Sequence, residues 1–78
     1  MDIEYFTDTD TLFIRLVDQN GSQGEEIAPN VVGYYDEEGH LVALEIDPVK
    51  NLVDLSHFST KGLPFQQLVL DSAKTAIV

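Results

Sequence analysis

Short runs of strand-forming residues, separated by turn sequences, constrain the fold more than any other feature of this chain. In residues 11–17 the apolar side chains of Leu12, Ile14 and Leu16 alternate with a second set, as they do in a strand that has two different faces. Similar runs lie at residues 3–6, 25–28, 31–35 and 40–46. The pattern predicts an antiparallel β-meander of four or five strands.

Turn sequences separate these runs. The pair Asn20-Gly21 is typical of a tight reversal with positive φ. The stretch from Asp36 to Gly39 is a second turn signal, in which Gly39 is expected to take the left-handed conformation. Both signals favour strands that reverse direction and pair with their neighbours.

The period of the sequence changes after residue 46. Asp47-Pro48 has the form of an N-cap followed by proline at the first helical position, and apolar residues at helical spacing follow within 49–56. This predicts a short helix. Residues 63–76 fit either a second helix or, at 66–70, an edge strand, and the helix is favoured.

The sheet and the C-terminal third together predict the fold class. An antiparallel sheet with one polar face must hide its other face, and only the last third of the chain can cover it. We therefore expect a two-layer α+β domain over residues 1–78, with the sheet in 1–47 and a helical cover and tail in 48–78. Burial is incomplete in so short a chain, and residues 75–78 are apolar, so a homodimer that buries leftover apolar surface is expected.

The charge is strongly one-sided. Fourteen acidic residues stand against four basic ones, which gives a net charge of −10. Nucleic acids and anionic membranes are therefore not expected partners, whereas a basic protein is attracted. An acidic surface that serves only solubility is the alternative. The lack of cysteine, of a long apolar run and of a secretory signal at the acidic N-terminus predicts a cytoplasmic protein.

Two motifs resemble a known family. The run from Tyr5 to Leu16, with its acidic turn and following strand, resembles the opening of the domain of unknown function 2283 family. The run from Val32 to Ile46 is similar to that family's valine strand, Asp-x-x-Gly turn and Glu-Ile ending, and the resemblance covers roughly residues 2–50. Phe6 and Ala43 depart from the family's usual Asp and Gly, and Phe6 removes an acidic pair from the first turn.

The resemblance implies a small β-rich domain with a helix, and it implies no established activity. It also suggests the inhibitory or regulatory half of a toxin–antitoxin-like pair.

Three carboxylates are the best candidates for a metal site. Asp8 and Asp10 lie at alternate positions of the first turn, and Glu45 lies in the last strand. Hard cations such as Ca²⁺ take six to eight oxygen ligands, and neither acidic turn matches a calcium-binding loop. Turn hydrogen bonding accounts for both aspartates without a metal, so we predict no metal and no cofactor.

Four residues are candidates for partner binding. Arg15 and Glu45 lie in the middle of their strands and are expected to form a cross-strand ion pair. Tyr34 and Tyr35 are consecutive, so one faces each side of the sheet, and an outward tyrosine is a plausible binding anchor.

The remaining polar residues do not predict catalysis. Ser56 and His57 are adjacent and point in different directions on a helix, and His40 follows a glycine turn where it is expected to be solvated. We predict a non-enzymatic protein–protein interaction module that binds a basic partner, antitoxin-like in its sharpest form. The alternatives are a divalent-cation binder or metal-dependent hydrolase using Asp8, Asp10 and Glu45, and a purely structural homo-oligomer.

Overall fold

Five antiparallel strands form a single sheet in the computed structural model, which describes residues 1–21 and 23–71. The strand order across the sheet is β1-β2-β5-β4-β3. The strands are β1 (Asp2–Phe6), β2 (Thr11–Arg15), β3 (Gln23–Ala28), β4 (Val31–Tyr35) and β5 (Leu41–Ile46). The alternating runs of the sequence therefore predict all five strands, because alternate side chains of a strand point to opposite faces of the sheet.

The order of the strands differs from the predicted meander. β5 lies between β2 and β4, and Leu12 is paired with Ile46 and Ile14 with Leu44. The hairpin of β1 and β2 thus joins the meander of β3, β4 and β5 through a long-range pairing. β1 and β3 become the two edges of the sheet.

Left-handed residues close three of the turns. Asp10 ends the β1–β2 turn with φ 56°, Asn30 joins β3 to β4 with φ 67°, and Gly39 precedes β5 with φ 86°, as predicted. Gly39 meets no atom near the position of a Cβ, so its backbone conformation alone favours glycine there. The tight reversal with positive φ predicted at Asn20-Gly21 does not form, since neither residue has a positive φ. Both residues belong instead to the connection that leads from β2 to β3 across the sheet.

The predicted α+β class is wrong, because residues 47–71 contain no helix. The amides of Leu52 and Val53 both donate to the Val49 carbonyl, which makes a single turn. Asn51 follows the first residues of that turn with φ 69°, a conformation that a right-handed helix cannot continue through. One turn without propagation does not offset the cost of helix nucleation.

The rest of the predicted helical cover is also missing from the described residues. Beyond the turn, the Ser56 amide binds the Asp54 Oδ1 at 2.9 Å instead of a helical carbonyl. Residues 63–71 form neither the favoured helix nor the alternative edge strand. The last part of the predicted second helix and the apolar end of the chain lie outside the described residues, as does Ser22.

The first face of the sheet, here called the apolar face, follows from the register. Residues directly opposite each other share a face, and Tyr35, Leu41 and Ile27 approach the Cβ position of Gly33. Its side chains are uncharged except for Glu25 on the edge strand β3. The large residues of this face are Ile3, Tyr5, Leu12, Ile14, Ile27, Val31, Tyr35, Leu41, Leu44 and Ile46.

The opposite face, here called the mixed face, combines carboxylates with aromatic rings. Four acidic side chains and one arginine lie on it, together with three aromatic residues. Its members are Asp2, Glu4, Phe6, Thr11, Phe13, Arg15, Glu26, Val32, Tyr34, Val42, Ala43 and Glu45. The two faces therefore differ sharply in charge.

The hydrophobic core is small. Its buried apolar side chains are Leu12, Val42, Ala43 and Val49. Val49 lies just after the sheet and donates its amide to the Asp10 carbonyl at 3.0 Å, so the turn after β5 is attached to the β1–β2 turn. Most other large apolar residues, including those of the segment after the sheet, remain at least two-fifths exposed. Among the described residues no helix is long and apolar enough to cross a membrane.

Candidate functional site

The centre of the mixed face carries a cluster of aromatic and charged groups from three adjacent strands. The rings of Phe13 on β2 and Tyr34 on β4 lie 6.1 Å apart at 52°, on either side of β5. The Arg15 guanidinium lies 5.5 Å from the centre of the Phe13 ring, within cation–π range. The Tyr34 hydroxyl donates to the Glu45 Oε1 at 2.9 Å. These four half-buried residues form the site called here the aromatic–acidic cluster.

The structure places Arg15 and Glu45 on one face, as expected, and gives them different partners. Arg15 is opposite Ala43 and Glu45 is opposite Phe13, so the two charged residues are diagonal neighbours. They form no ion pair within 4.0 Å, and Arg15 donates to the Gln19 carbonyl at 3.5 Å. Tyr34 instead takes Glu45 because a rigid ring on β4 reaches the carboxylate without ordering a long side chain.

The consecutive tyrosines face opposite sides of the sheet, as the strand period predicts. Tyr34 belongs to the aromatic–acidic cluster, whereas Tyr35 lies on the apolar face opposite Leu41. The hydrogen bond to Glu45 raises the pKa of Tyr34, and desolvation of the hydroxyl adds to the rise. Glu45 therefore holds the tyrosine in its neutral, hydrogen-bond-donating form.

A shallow groove runs beside the cluster along the edge strand β1. Its volume is about 430 Å³. Its lining contains three carboxylates and an aromatic ring against one guanidinium, which suits it to a cationic side chain. The lining residues are Asp2, Ile3, Glu4, Phe13, Arg15 and Asp71.

The three carboxylates predicted as metal-ligand candidates are not brought together. Asp10 accepts from the Tyr5 hydroxyl at 2.7 Å and from the Lys50 amide at 2.9 Å. The Tyr5 hydrogen bond, followed by that from Lys50, lowers the pKa of Asp10. Asp8 is exposed in the same turn, and Glu45 belongs to the mixed face. Asp10 thus acts as a structural acceptor that joins β1 to the segment after β5.

A different trio of potential ligand groups lies in the β4–β5 turn. Atoms of Asp36, Glu38 and His40 lie within 4.8 Å of one another, the one such group among the described residues. Asp36 Oδ1 accepts from the amides of Glu38 and His40, each at 2.9 Å. Both hydrogen bonds lower the pKa of Asp36, and the bond from the His40 amide has the larger effect. The His40 ring is 72% exposed and lies 3.3 Å from Asp36 Oδ2, so the turn's own hydrogen bonding explains the trio.

Sequence reasoning missed two members of these clusters. Phe13 was not among the binding candidates, although it alternates with Arg15 and shares its face. The grouping of His40 with Asp36 was also missed; its signal is the spacing of four residues across a glycine turn, which folds the two side chains together. Ser56, in turn, is bonded to Asp54 through both its amide and its hydroxyl, and His57 is exposed.

Residues 2–50, well over half of the chain, match the family described as a protein of unknown function, DUF2283. The chain belongs to the DUF2283 family. The match contains the whole sheet and the aromatic–acidic cluster, and it ends within the turn that buries Val49. No curated protein and no solved structure matches the chain. The resemblance expected from the two sequence motifs is thus confirmed over the same residues.

Proposed function

We propose that this DUF2283 protein is a non-enzymatic protein–protein interaction module whose mixed face binds a basic protein. The observation that carries the proposal is the aromatic–acidic cluster, where two half-buried aromatic rings lie beside a carboxylate on the mixed face. Binding sites for proteins depend on a few such central anchors, with aromatic residues prominent among them.

The charge distribution supports a basic partner. The mixed face has four carboxylates and one guanidinium, within a chain of net charge −10. A field of this sign accelerates encounter with a positively charged protein and opposes nucleic acids. The partner's arginine or lysine side chains would lie in the groove beside β1, near Asp2, Glu4 and Asp71.

Glu45 supplies a prearranged acceptor at the centre of this face. Its Oε1 is held by the Tyr34 hydroxyl, and no other described residue donates to the carboxylate. The second oxygen is therefore able to accept from a partner's guanidinium while the first stays fixed. A carboxylate whose position is already set loses less conformational freedom on binding than a mobile one.

An antitoxin-like regulator is the sharpest form of this proposal. In that form the basic partner is a toxic enzyme, and the mixed face covers the positively charged surface with which that enzyme binds its substrate. The small size, the acidic surface and the large share of exposed apolar side chains support this form. No catalysis by the DUF2283 protein itself is proposed.

Affinity capture with matched variants tests the proposal. We expect the protein to retain a basic protein from a native lysate at about 0.05 M salt and to release it at about 0.5 M salt, because screening weakens charge pairing. The variant Glu4→Gln/Glu45→Gln should lose the retained protein. The control Glu37→Gln/Glu38→Gln changes the net charge equally in the exposed β4–β5 turn and should keep it.

Two results would contradict the proposal. One is failure to retain any basic protein at either salt concentration. The other is equal loss by the Glu4→Gln/Glu45→Gln variant and by its control, which would reduce the interaction to net charge alone. A retained protein is then identified, purified and titrated against both variants, so that direct binding to the mixed face is measured.

The two alternative functions keep their own tests. A cation binder or hydrolase that uses Asp8, Asp10 and Glu45 is not favoured by their positions, and titration calorimetry with Ca²⁺, Mg²⁺ and Mn²⁺ tests it directly. A purely structural homo-oligomer predicts a mass that depends on concentration and no retained partner.

A further inference from the structure

No helix or second sheet of the described residues covers the apolar face of the sheet. Leu12 is its only large side chain that is buried, and Ile3, Tyr5 and Ile27 are exposed. An antiparallel sheet with one apolar face is normally covered on that face. The segment that was predicted to cover it forms no helix, and most of its large apolar residues between Leu52 and Leu70 are exposed.

The apolar face contributes to the large accessible surface of the chain. The whole chain has 6725 Å², whereas a compact monomer of this mass has about 4700 Å². Part of the excess lies in the exposed segment after the sheet, and the apolar face adds Ile3, Tyr5 and Ile27, which are 50%, 40% and 47% exposed. These three residues lie on the two edge strands, so exposed apolar surface is present at both edges of the face.

We propose that the apolar face binds the apolar face of a second copy of this chain, in a two-fold symmetric dimer. The two faces carry the same residues, so every contact made by one residue of the Ile3–Ile14–Leu44 row is repeated by its symmetry equivalent, as isologous interfaces require. Two twisted sheets pack in this way with their faces about 10 Å apart.

The charge on this face selects a second copy over a basic protein. Of the charged residues in the five strands, only Glu25 lies on the apolar face, and it is on the edge strand β3. A basic partner would find almost no carboxylate there, whereas a second copy can approach without bringing like charges together at the centre. The net charge of −10 on each chain still repels through solvent. Added salt therefore strengthens the dimer, because it screens that repulsion.

This dimer goes beyond the proposed function and does not depend on it. Binding of a basic protein uses the mixed face, on the other side of the sheet, and weakens with salt. Self-association uses the apolar face and strengthens with salt. The two ideas can fail separately, since each has its own face, its own variants and its own response to ionic strength.

Sedimentation equilibrium of the full chain tests the dimer between about 1 µM and about 1 mM. We expect a mass that rises from one to two chains and a dissociation constant that falls as salt increases. The matched variants lie on β1: Ile3 on the apolar face is 50% exposed, and Phe6 on the mixed face is 44% exposed. Ile3→Gln should raise the dissociation constant about tenfold or more, and Phe6→Gln should leave it within about twofold.

A second variant guards against a misfolded Ile3→Gln protein. Ile27→Gln changes the apolar face at the opposite edge strand, β3, and should weaken the dimer in the same way, with the circular dichroism of the sheet retained. A monomer at every concentration would overturn the proposal. A dimer weakened by Phe6→Gln and not by Ile3→Gln or Ile27→Gln would also overturn it.

Discussion

Shortening Val49 to alanine should cost a large part of the stability of this fold. The Val49 side chain is fully buried, with 0% exposure, although it belongs to a segment that is otherwise exposed. Val49→Ala removes two methyl groups and leaves a cavity, so we expect a loss of about 1–3 kcal/mol. A domain of this length has a free energy of unfolding of roughly 4–12 kcal/mol, and four buried apolar residues put it near the lower end.

Urea unfolding and thermal unfolding, both followed by circular dichroism, measure the loss of stability. A loss of about 2 kcal/mol lowers the midpoint of thermal unfolding by about 10 °C in a domain of this size. The control is Val69→Ala, the same chemical change at a side chain that is 67% exposed, and it should alter the free energy of unfolding by less than about 0.5 kcal/mol. Equal effects of the two substitutions would refute the placement of Val49 in the core.

Three further predictions use the contacts of the mixed face and of the β4–β5 turn. Gly21→Ala should destabilise the fold by about 1–3 kcal/mol, because its Cβ would lie 2.7 Å from the Tyr34 Cβ, which the backbone fixes; an unchanged urea midpoint would contradict this. The hydrogen bond to Glu45 raises the pKa of Tyr34. The bond therefore stabilises the fold at pH values below the ordinary tyrosine pKa, and this contribution is lost as the pH rises through the raised pKa. Tyr34→Phe should flatten the decline of stability at alkaline pH, and an identical pH profile would count against the prediction. The hydrogen bond from the His40 amide is the main cause that lowers the pKa of Asp36. The stability that Asp36 contributes is therefore present above the ordinary aspartate pKa and is lost as the pH falls through the lowered pKa. Asp36→Asn should reduce the dependence of the urea midpoint on pH below about pH 4, and a midpoint as pH-dependent as that of the unaltered chain would argue against this.

Local pattern explains the strands, whereas the strand order depends on contacts that local pattern does not contain. The alternation around Leu12 and Ile14 identifies β2 and its two faces from the sequence alone. Their pairing with Ile46 and Leu44 joins residues 34 and 30 positions apart, and any strand with a matching apolar face would satisfy the same alternation. Local signals therefore favour a meander, and the tertiary pairing inserts β5 between β2 and β4.

The predicted helix shows where periodicity misleads. Val49, Leu52 and Val53 have helical spacing, but the amides of Val49 and Lys50 bind Asp10 in a distant turn. Those bonds anchor the segment to the sheet in a conformation that a helix would not allow. Tertiary hydrogen bonds thus override a weak local preference.

The candidate site was predictable in part. Alternation puts Tyr34 and Tyr35 on opposite faces, and the expected pairing puts Arg15 and Glu45 on one face, but alternation does not say which tyrosine shares that face. Arg15 on β2 and Tyr34 on β4 both lie opposite Ala43 and are diagonal neighbours of Glu45, so neither alternation nor register separates them. In the structure Arg15 lies over the Phe13 ring, and Glu45 accepts from the Tyr34 hydroxyl.

The two outer strands carry charges that oppose edge-to-edge pairing with other sheets. An unpaired edge strand is a template for further strands, and within the part of the chain that the structure describes β1 and β3 each pair with a strand on one side only. Asp2 and Glu4 lie in one, and Glu25 and Glu26 lie in the other, where a bulge also interrupts the register before Ala28. A second copy that approached either border would place carboxylate against carboxylate, so growth of the sheet into fibrils is disfavoured.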